Sequence, residues 1–199
     1  MLNKHNLNIA KLAAKDESRY TLTGIRVSPD ETCCTDGHQL TRVTTPKMGV
    51  ENFPAKDGFT PTEDFEPFLL PSEAALSVAK ALPKKSTIPV LIHAAVGEAT
   101  DDDVQIAVTN LETFQLFDVR KMKGEFPSRE RINSIIPDKA KATVTVRLNP
   151  EILVAILLQV RDFSRGEMVL RVYDAESAIR IDASNDDQEF TSALMPMRS

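Results

Sequence analysis

Residues 187–199 read Asp187-Gln188-Glu189-Phe190-Thr191-Ser192-Ala193-Leu194-Met195-Pro196-Met197-Arg198-Ser199. Phe190, Ala193 and Leu194 are apolar enough for a buried strand over 189–194, and Met-Pro-Met-Arg follows without a break. Proline has no N–H, so it stops the ladder there and holds the backbone extended while both methionines project. Unbranched thioethers adapt to varied apolar partners, and the tail therefore reads as one wall of a peptide pocket. The plainer alternative is a closing strand with a tidy end.

Working backwards, 142–148 alternates as a strand, and Asn149 can cap a helix over 150–161 that has Pro150 at its first position. Strands are expected at 168–173, 178–182 and 189–194, giving the order strand, helix, three strands. Residues 68–119 repeat that order: a strand at 68–70, a helix over 73–82 with Ser72 as its cap, and strands at 88–95, 104–109 and 113–119. Residues 7–43 supply a helix from Leu7 to Ala13 and strands at 20–27, 32–35 and 40–43, without a clear first strand. Asp36-Gly37 is the strongest hairpin signal. The prediction is an α+β protein with antiparallel sheets and helices on one face, two repeats placing their helices across one continuous sheet. Residues 44–66, broken by prolines, read as a long loop lying over the first repeat.

A chain of 199 residues can bury a real core. Its net charge of −5 argues against gripping nucleic acid with the whole surface, though not against one basic face on an acidic exterior. There is no tryptophan and only two tyrosines, so stacking platforms for bases are scarce. Cys33 and Cys34 are the only cysteines and are adjacent, which excludes a disulfide framework or a spaced thiolate zinc site. No leader and no membrane-length apolar run is read, so a cytoplasmic protein, nucleoid-associated in the preferred reading, is the expectation.

Four local runs carry a resemblance: Thr35-Asp36-Gly37-His38-Gln39-Leu40, Gly124-Glu125-Phe126-Pro127, Ile136-Pro137 and Met195-Pro196-Met197-Arg198. Together they resemble the bacterial DNA sliding clamp, the beta subunit of the replicative polymerase, in shortened and divergent form. The resemblance implies that residues 1–137 correspond to the family's middle domain, trimmed at its first strand, and 138–199 to the end of its last domain. It also implies a ring around duplex DNA, helices lining the hole. Clients of the family insert a short apolar motif into a cleft, here implied at Thr35, Gly37, His38, Gln39, Leu40, Pro137, Met195, Pro196, Met197 and Arg198. Gln39 stands where the family commonly has arginine, which removes a fixed charge from that rim. A family ring holds twelve such repeats, so four copies of this three-repeat chain would match the count, a homo-oligomer being the expectation.

The cations beside the helices are the candidate DNA-facing set: Lys4, Lys11 and Lys15 around the first, Lys80, Lys84 and Lys85 around the second, Arg161 and Arg165 at the third. Lysine near a helix end also simply complements the terminal dipole, so a solvated face is the equal alternative. Asp101, Asp102, Asp103, Glu130, Asp138, Asp174, Glu176, Asp186 and Asp187 fall mainly in turns. No nucleophile elbow, phosphate-cradling glycine loop or helical His-Glu metal pattern is present, so no enzyme and no cofactor is expected. The preferred reading is a DNA-tethering protein that binds linear motifs of polymerase or repair proteins; the alternative is a non-encircling module that binds clamp-interaction motifs or clamp partners.

Overall fold

The computed structural model describes residues 1–54, 58–164 and 166–197. The chain divides into two compact units, Met1–Ile136 and Pro137–Ser199.

The first unit opens with a two-residue strand β1 (Leu2–Asn3), helix α1 (Lys4–Asn8) and a 3-10 segment, Ile9–Leu12. It continues with strands β2 (Gly24–Val27), β3 (Glu31–Thr35) and β4 (Leu40–Thr44). Then come β5 (Phe68–Pro71), helix α2 (Ser72–Ala81), β6 (His93–Ala99), β7 (Asp103–Thr109), β8 (Phe114–Arg120) and helix α3 (Arg129–Ile135). All pairings are antiparallel, in two four-stranded sheets ordered β4-β3-β2-β5 and β1-β6-β7-β8.

The expected single continuous sheet is thus corrected to two sheets that exchange their first strands. β1 precedes α1 but pairs with β6 of the second repeat, Leu2 opposite Ala94. β5 precedes α2 but pairs with β2 of the first, Leu70 opposite Ile25. The first repeat does have its first strand; two residues are too few for alternation to reveal it. α1 and α2 pack on each other and on strands from both sheets, so Leu2, Leu7, Ile25, Leu70, Val78, Val96 and Ile106 meet in one core. Asn6, fully buried, ties α1 to the β3–β4 hairpin: its Nδ2 donates to the carbonyls of Val43 (3.3 Å) and Thr44 (3.1 Å).

Other expectations are corrected locally. Residues 20–22 belong to a 3-10 turn, Glu17–Leu22, because Asp16 accepts from Ser18 N and caps it; the strand begins only at Gly24. Residues 89–92 are likewise a 3-10 turn opened by Pro89. Ser72 is not a cap: its hydroxyl donates to Thr23 O at 2.5 Å, and Pro71 occupies the cap position. The long loop packs on the second repeat's sheet rather than the first's. Phe53 and Phe59 join Ala95 and Ala107 in a second small core, and Phe53 meets Phe114 edge-on at 5.6 Å. The ring of Phe59 lies so close to Gly97 that an added Cβ would sit 2.4 Å from it.

The second unit holds helix α4 (Pro150–Phe163) and strands β9 (Met168–Arg171), β10 (Ile179–Ser184) and β11 (Glu189–Leu194), in the sheet order β11-β10-β9. Asn149 caps α4 as expected, accepting from Glu151 N at 2.9 Å. The expected strand at 142–148 is absent: no neighbouring strand offers those residues a ladder, and the alternation alone cannot make one. Val146 and Leu148 still pack against Val160, Ile179, Ile181 and Leu194 of this unit's core.

Candidate functional site

Two local constructions hold the residues singled out by sequence, one in each unit. In the first unit, Thr35 and Leu40 face each other at the mouth of the β3–β4 hairpin. Asp36 Oδ1 accepts from the backbone N–H groups of His38 (2.8 Å) and Gln39 (2.9 Å), which hold its carboxyl below the usual carboxylate range. Thr35 Oγ1 donates to Gln39 O at 2.6 Å and accepts from Gly37 N at 3.1 Å. Gly37 has φ +93°, a left-handed conformation that favours glycine, and Arg19 reaches under the turn to Asp36 O at 2.8 Å. The side chain of Gln39 is taken up internally: it donates to Leu12 O and accepts from Thr41 Oγ1. His38 is exposed, and Asp36 engages its backbone N–H. The hairpin turn is thus closed by its own hydrogen bonds, with His38 at its exposed tip.

In the second unit, the tail forms one wall of a groove of about 690 Å³ lined by Thr145, Arg147, Ala175, Glu176, Met195, Pro196 and Met197. Met197 N donates to Arg147 O at 2.8 Å, pinning the tail along the 142–148 segment after Pro196 has ended the β11 ladder. Met195 and Met197 are 65% and 55% exposed, so both thioethers are open to a ligand. The rim is ordered by Asp174, whose carboxylate accepts from Ser177 and Glu176 and is thereby kept below the usual range. Apolar walls with an arginine and a glutamate at the edge suit a short extended peptide carrying apolar side chains.

Pro137 is exposed at the start of the second unit and does not line this groove; Arg198 lies outside the described residues. Thr145, Arg147, Ala175 and Glu176 were not singled out from sequence. The first two could have been, as alternate residues of an alternating stretch.

Of the candidate DNA-facing cations, Lys11, Lys15, Lys80, Lys84 and Lys85 are exposed and Lys4 is half-buried, all on or beside the packed α1 and α2. Among the described residues none of these six makes an ion pair, whereas Arg161 is paired with Asp162 at 2.9 Å. Arg165 lies outside the described residues. Among the described residues no group of three or more His, Cys, Asp or Glu side chains could hold a metal ion, and no helix is long and apolar enough to cross a membrane. Cys33 and Cys34 are free and buried, which pushes their thiols up to about 11 and about 12.

Repeats of strand, helix and three strands, with antiparallel sheets backed by helices, define the fold of the DNA sliding clamps. In particular, the chain is similar to the sliding clamp of Bacillus subtilis: 19% identical, TM-score 0.64, covering 98% of this chain and 48% of that one. The clamp of Pseudomonas aeruginosa compares at 17% identity and TM-score 0.67, over 98% of this chain and 50% of that one. A Helicobacter pylori beta clamp, solved with a DNA ligase peptide bound, compares at 13% and 0.61, over 96% and 46%. The chain thus spans about half the length of these bacterial clamps. No family model matches the sequence, and no curated protein matches it.

Proposed function

We propose that this chain is a sliding-clamp-like tether that holds client proteins on duplex DNA. The observation that carries the reading is the methionine-walled groove at Met195, Pro196 and Met197 on a clamp fold. A client's short apolar motif lies in that groove, its leucine or phenylalanine side chains against the two thioethers and its backbone near Arg147. The peptide seen on the Helicobacter pylori clamp supports a linear ligand of this kind. The unpaired lysines on and beside α1 and α2 supply sequence-independent attraction to phosphates, with no base readout that would stop movement along the duplex. No bond chemistry is assigned to the chain.

The net charge of −5 favours a second reading, a module that binds the same motifs without enclosing DNA. Two measurements test these readings, the first the groove they share and the second the enclosure that separates them. A fluorescent peptide carrying an apolar clamp-binding motif, titrated against wild type and Met197→Ala, should lose affinity by about 5- to 30-fold in the variant, the range of one truncated hot-spot side chain. Equal affinity would remove the groove from the mechanism. Retention on closed circular DNA that is lost on linearisation supports enclosure. Binding that ignores the topology of the DNA, or no DNA binding, leaves the module.

A further inference from the structure

The second unit is one repeat, and the first unit shows how two repeats complete each other. In the first unit the strand before each helix leaves its own repeat and lies against the first strand after the other helix. The register is the same in both cases. Asn3, the residue capping α1, sits opposite His93, the first residue of β6. Pro71, at the cap of α2, sits opposite Gly24, the first residue of β2. The strand is tied on its other side to its own repeat: Leu69, two residues before the cap, accepts from Met122 N at 3.0 Å, just past β8.

The second unit has half of this arrangement. Arg147, also two residues before a cap, accepts from Met197 N at 2.8 Å, just past β11, so the tie to its own repeat is made. Successive residues of an extended chain present their backbone groups to opposite edges, so Val146 and Leu148 present theirs to the other side, where no strand lies among the described residues. β9, the counterpart of β2 and β6, is an open edge whose four residues are all exposed, including Met168, Val169 and Leu170. α2 exposes only Glu73, Ser77 and Lys80. α4, by contrast, exposes Ile152 (50%), Val154 (53%) and Leu158 (44%) on the sides turned away from its sheet. A helix that carries apolar residues on its exposed side as well as its core side expects cover, and an apolar, unguarded strand edge is a template for another chain.

We propose that two copies of this chain pair through their second units, segment 146–149 of each adding to the β9 edge of the other while the two α4 helices pack together. The register of the first unit, where core-facing residues lie opposite core-facing residues (Leu70 with Ile25, Phe68 with Val27), carries over when Leu148 and Val146 meet Met168 and Leu170, the β9 residues on the same face as Ala183 and Ile181: Asn149, Leu148, Arg147 and Val146 of one copy lie opposite Glu167, Met168, Val169 and Leu170 of the other. The result is a two-fold domain of two four-stranded sheets, built like the first unit but from two chains. A two-fold axis across α4 runs the helices antiparallel and brings the exposed Glu151 of one towards the exposed Arg161 of the other, which is charge-complementary. The alternation of 142–148, which finds no ladder within one chain, thereby acquires one. This dimer does not depend on the DNA or peptide reading and is measured without either ligand.

The test is solution mass by sedimentation over a range of concentrations, with twice the 22.0 kDa of one chain expected. Leu158→Glu, on an exposed position, should give a monomer with an unchanged circular dichroism spectrum; Ser77→Glu on the polar face of α2 should stay dimeric. In a second experiment, Arg147→Cys together with Val169→Cys should oxidise to a disulfide between chains, seen as a covalent dimer on a non-reducing gel. Within one chain the two positions lie on opposite edges of the β11-β10-β9 sheet, too far apart for an S–S bond. The native Cys33 and Cys34 are buried and do not interfere. A monomer at every concentration overturns the proposal. A dimer that survives Leu158→Glu and forms no such cross-link overturns it too, since another surface is then responsible.

Discussion

Replacing Asn6 by alanine isolates the polar clasp between α1 and the β3–β4 hairpin. Asn6 is fully buried, and its side chain serves several groups at once. Nδ2 donates to Thr44 O at 3.1 Å and to Val43 O and Thr32 Oγ1 at 3.3 Å, while Oδ1 accepts from Asn3 N at 3.1 Å. Thr32 Oγ1 retains Asn6 O as a partner in the variant, so the losses fall on the two strand carbonyls and on the α1 cap. At about 1 kcal/mol per net bond, with a further ~1–2 kcal/mol where an acceptor is left dry, Asn6→Ala should cost about 2–4 kcal/mol. For a domain of this size that is a fall in Tm of roughly 5–15 °C. Urea unfolding followed by circular dichroism reads it directly, with the midpoint lowered and the slope unchanged. Asn8→Ala is the control, since Asn8 makes no capping bond, and should stay within about 0.5 kcal/mol of wild type. Asn6→Asp adds a sign. A carboxylate beside two carbonyls in a dry site has its folded pKa raised, so its stability is retained below the ordinary carboxylate value and lost as pH rises through the folded one. That variant should therefore be nearer wild type at pH 4 than at pH 7. Asn6→Ala within 0.5 kcal/mol of wild type would refute the clasp.

Two further outcomes follow from packing and burial. Gly97→Ala drives a methyl into the Phe59 ring and should destabilise by about 1–3 kcal/mol in the same urea assay, with Phe59→Leu in the same chain recovering part of the loss. Cys33 and Cys34 should be silent to a thiol reagent at pH 8 in the folded protein and react as two thiols in denaturant. Because burial raises both folded pKa values, to about 11 and about 12, their contribution is fully present below the ordinary thiol value and lost as pH climbs through those numbers; Cys33→Ala with Cys34→Ala should flatten that alkaline limb of the stability curve.

The repeat order was legible because strong punctuation surrounds it: Asp36-Gly37 at a hairpin, Asn149-Pro150 at a helix start, and alternating stretches long enough to read. What failed was local or non-local for identifiable reasons. α3 was missed because it rests on one fully buried side chain, Ile132, and a serine cap at Ser128, so it has no apolar stripe. The exchange of β1 and β5 between sheets leaves no trace in a linear pattern, since alternation states that a strand exists and not which neighbour it finds. At the site, Met195, Pro196 and Met197 were conspicuous because their chemistry is unusual at a strand end. Arg147 and Thr145 are alternate residues of a legible alternating stretch, but that the tail lies along them, with Met197 bonded to Arg147 O, is not written in either segment.

The pairing of Leu2 with Ala94 has a consequence for how the protein is made. During translation the residues that form β1 emerge long before β6, and more than ninety residues must leave the ribosome before they have a place to lie. Leu2, almost wholly covered in the finished molecule, is solvated throughout that interval. Closing so distant a contact is slow relative to the local β3–β4 hairpin, which can form as soon as it is synthesised. β1 is synthesised before β6 yet settles after it, and the nascent chain is most open to misassociation just before residue 94 becomes free.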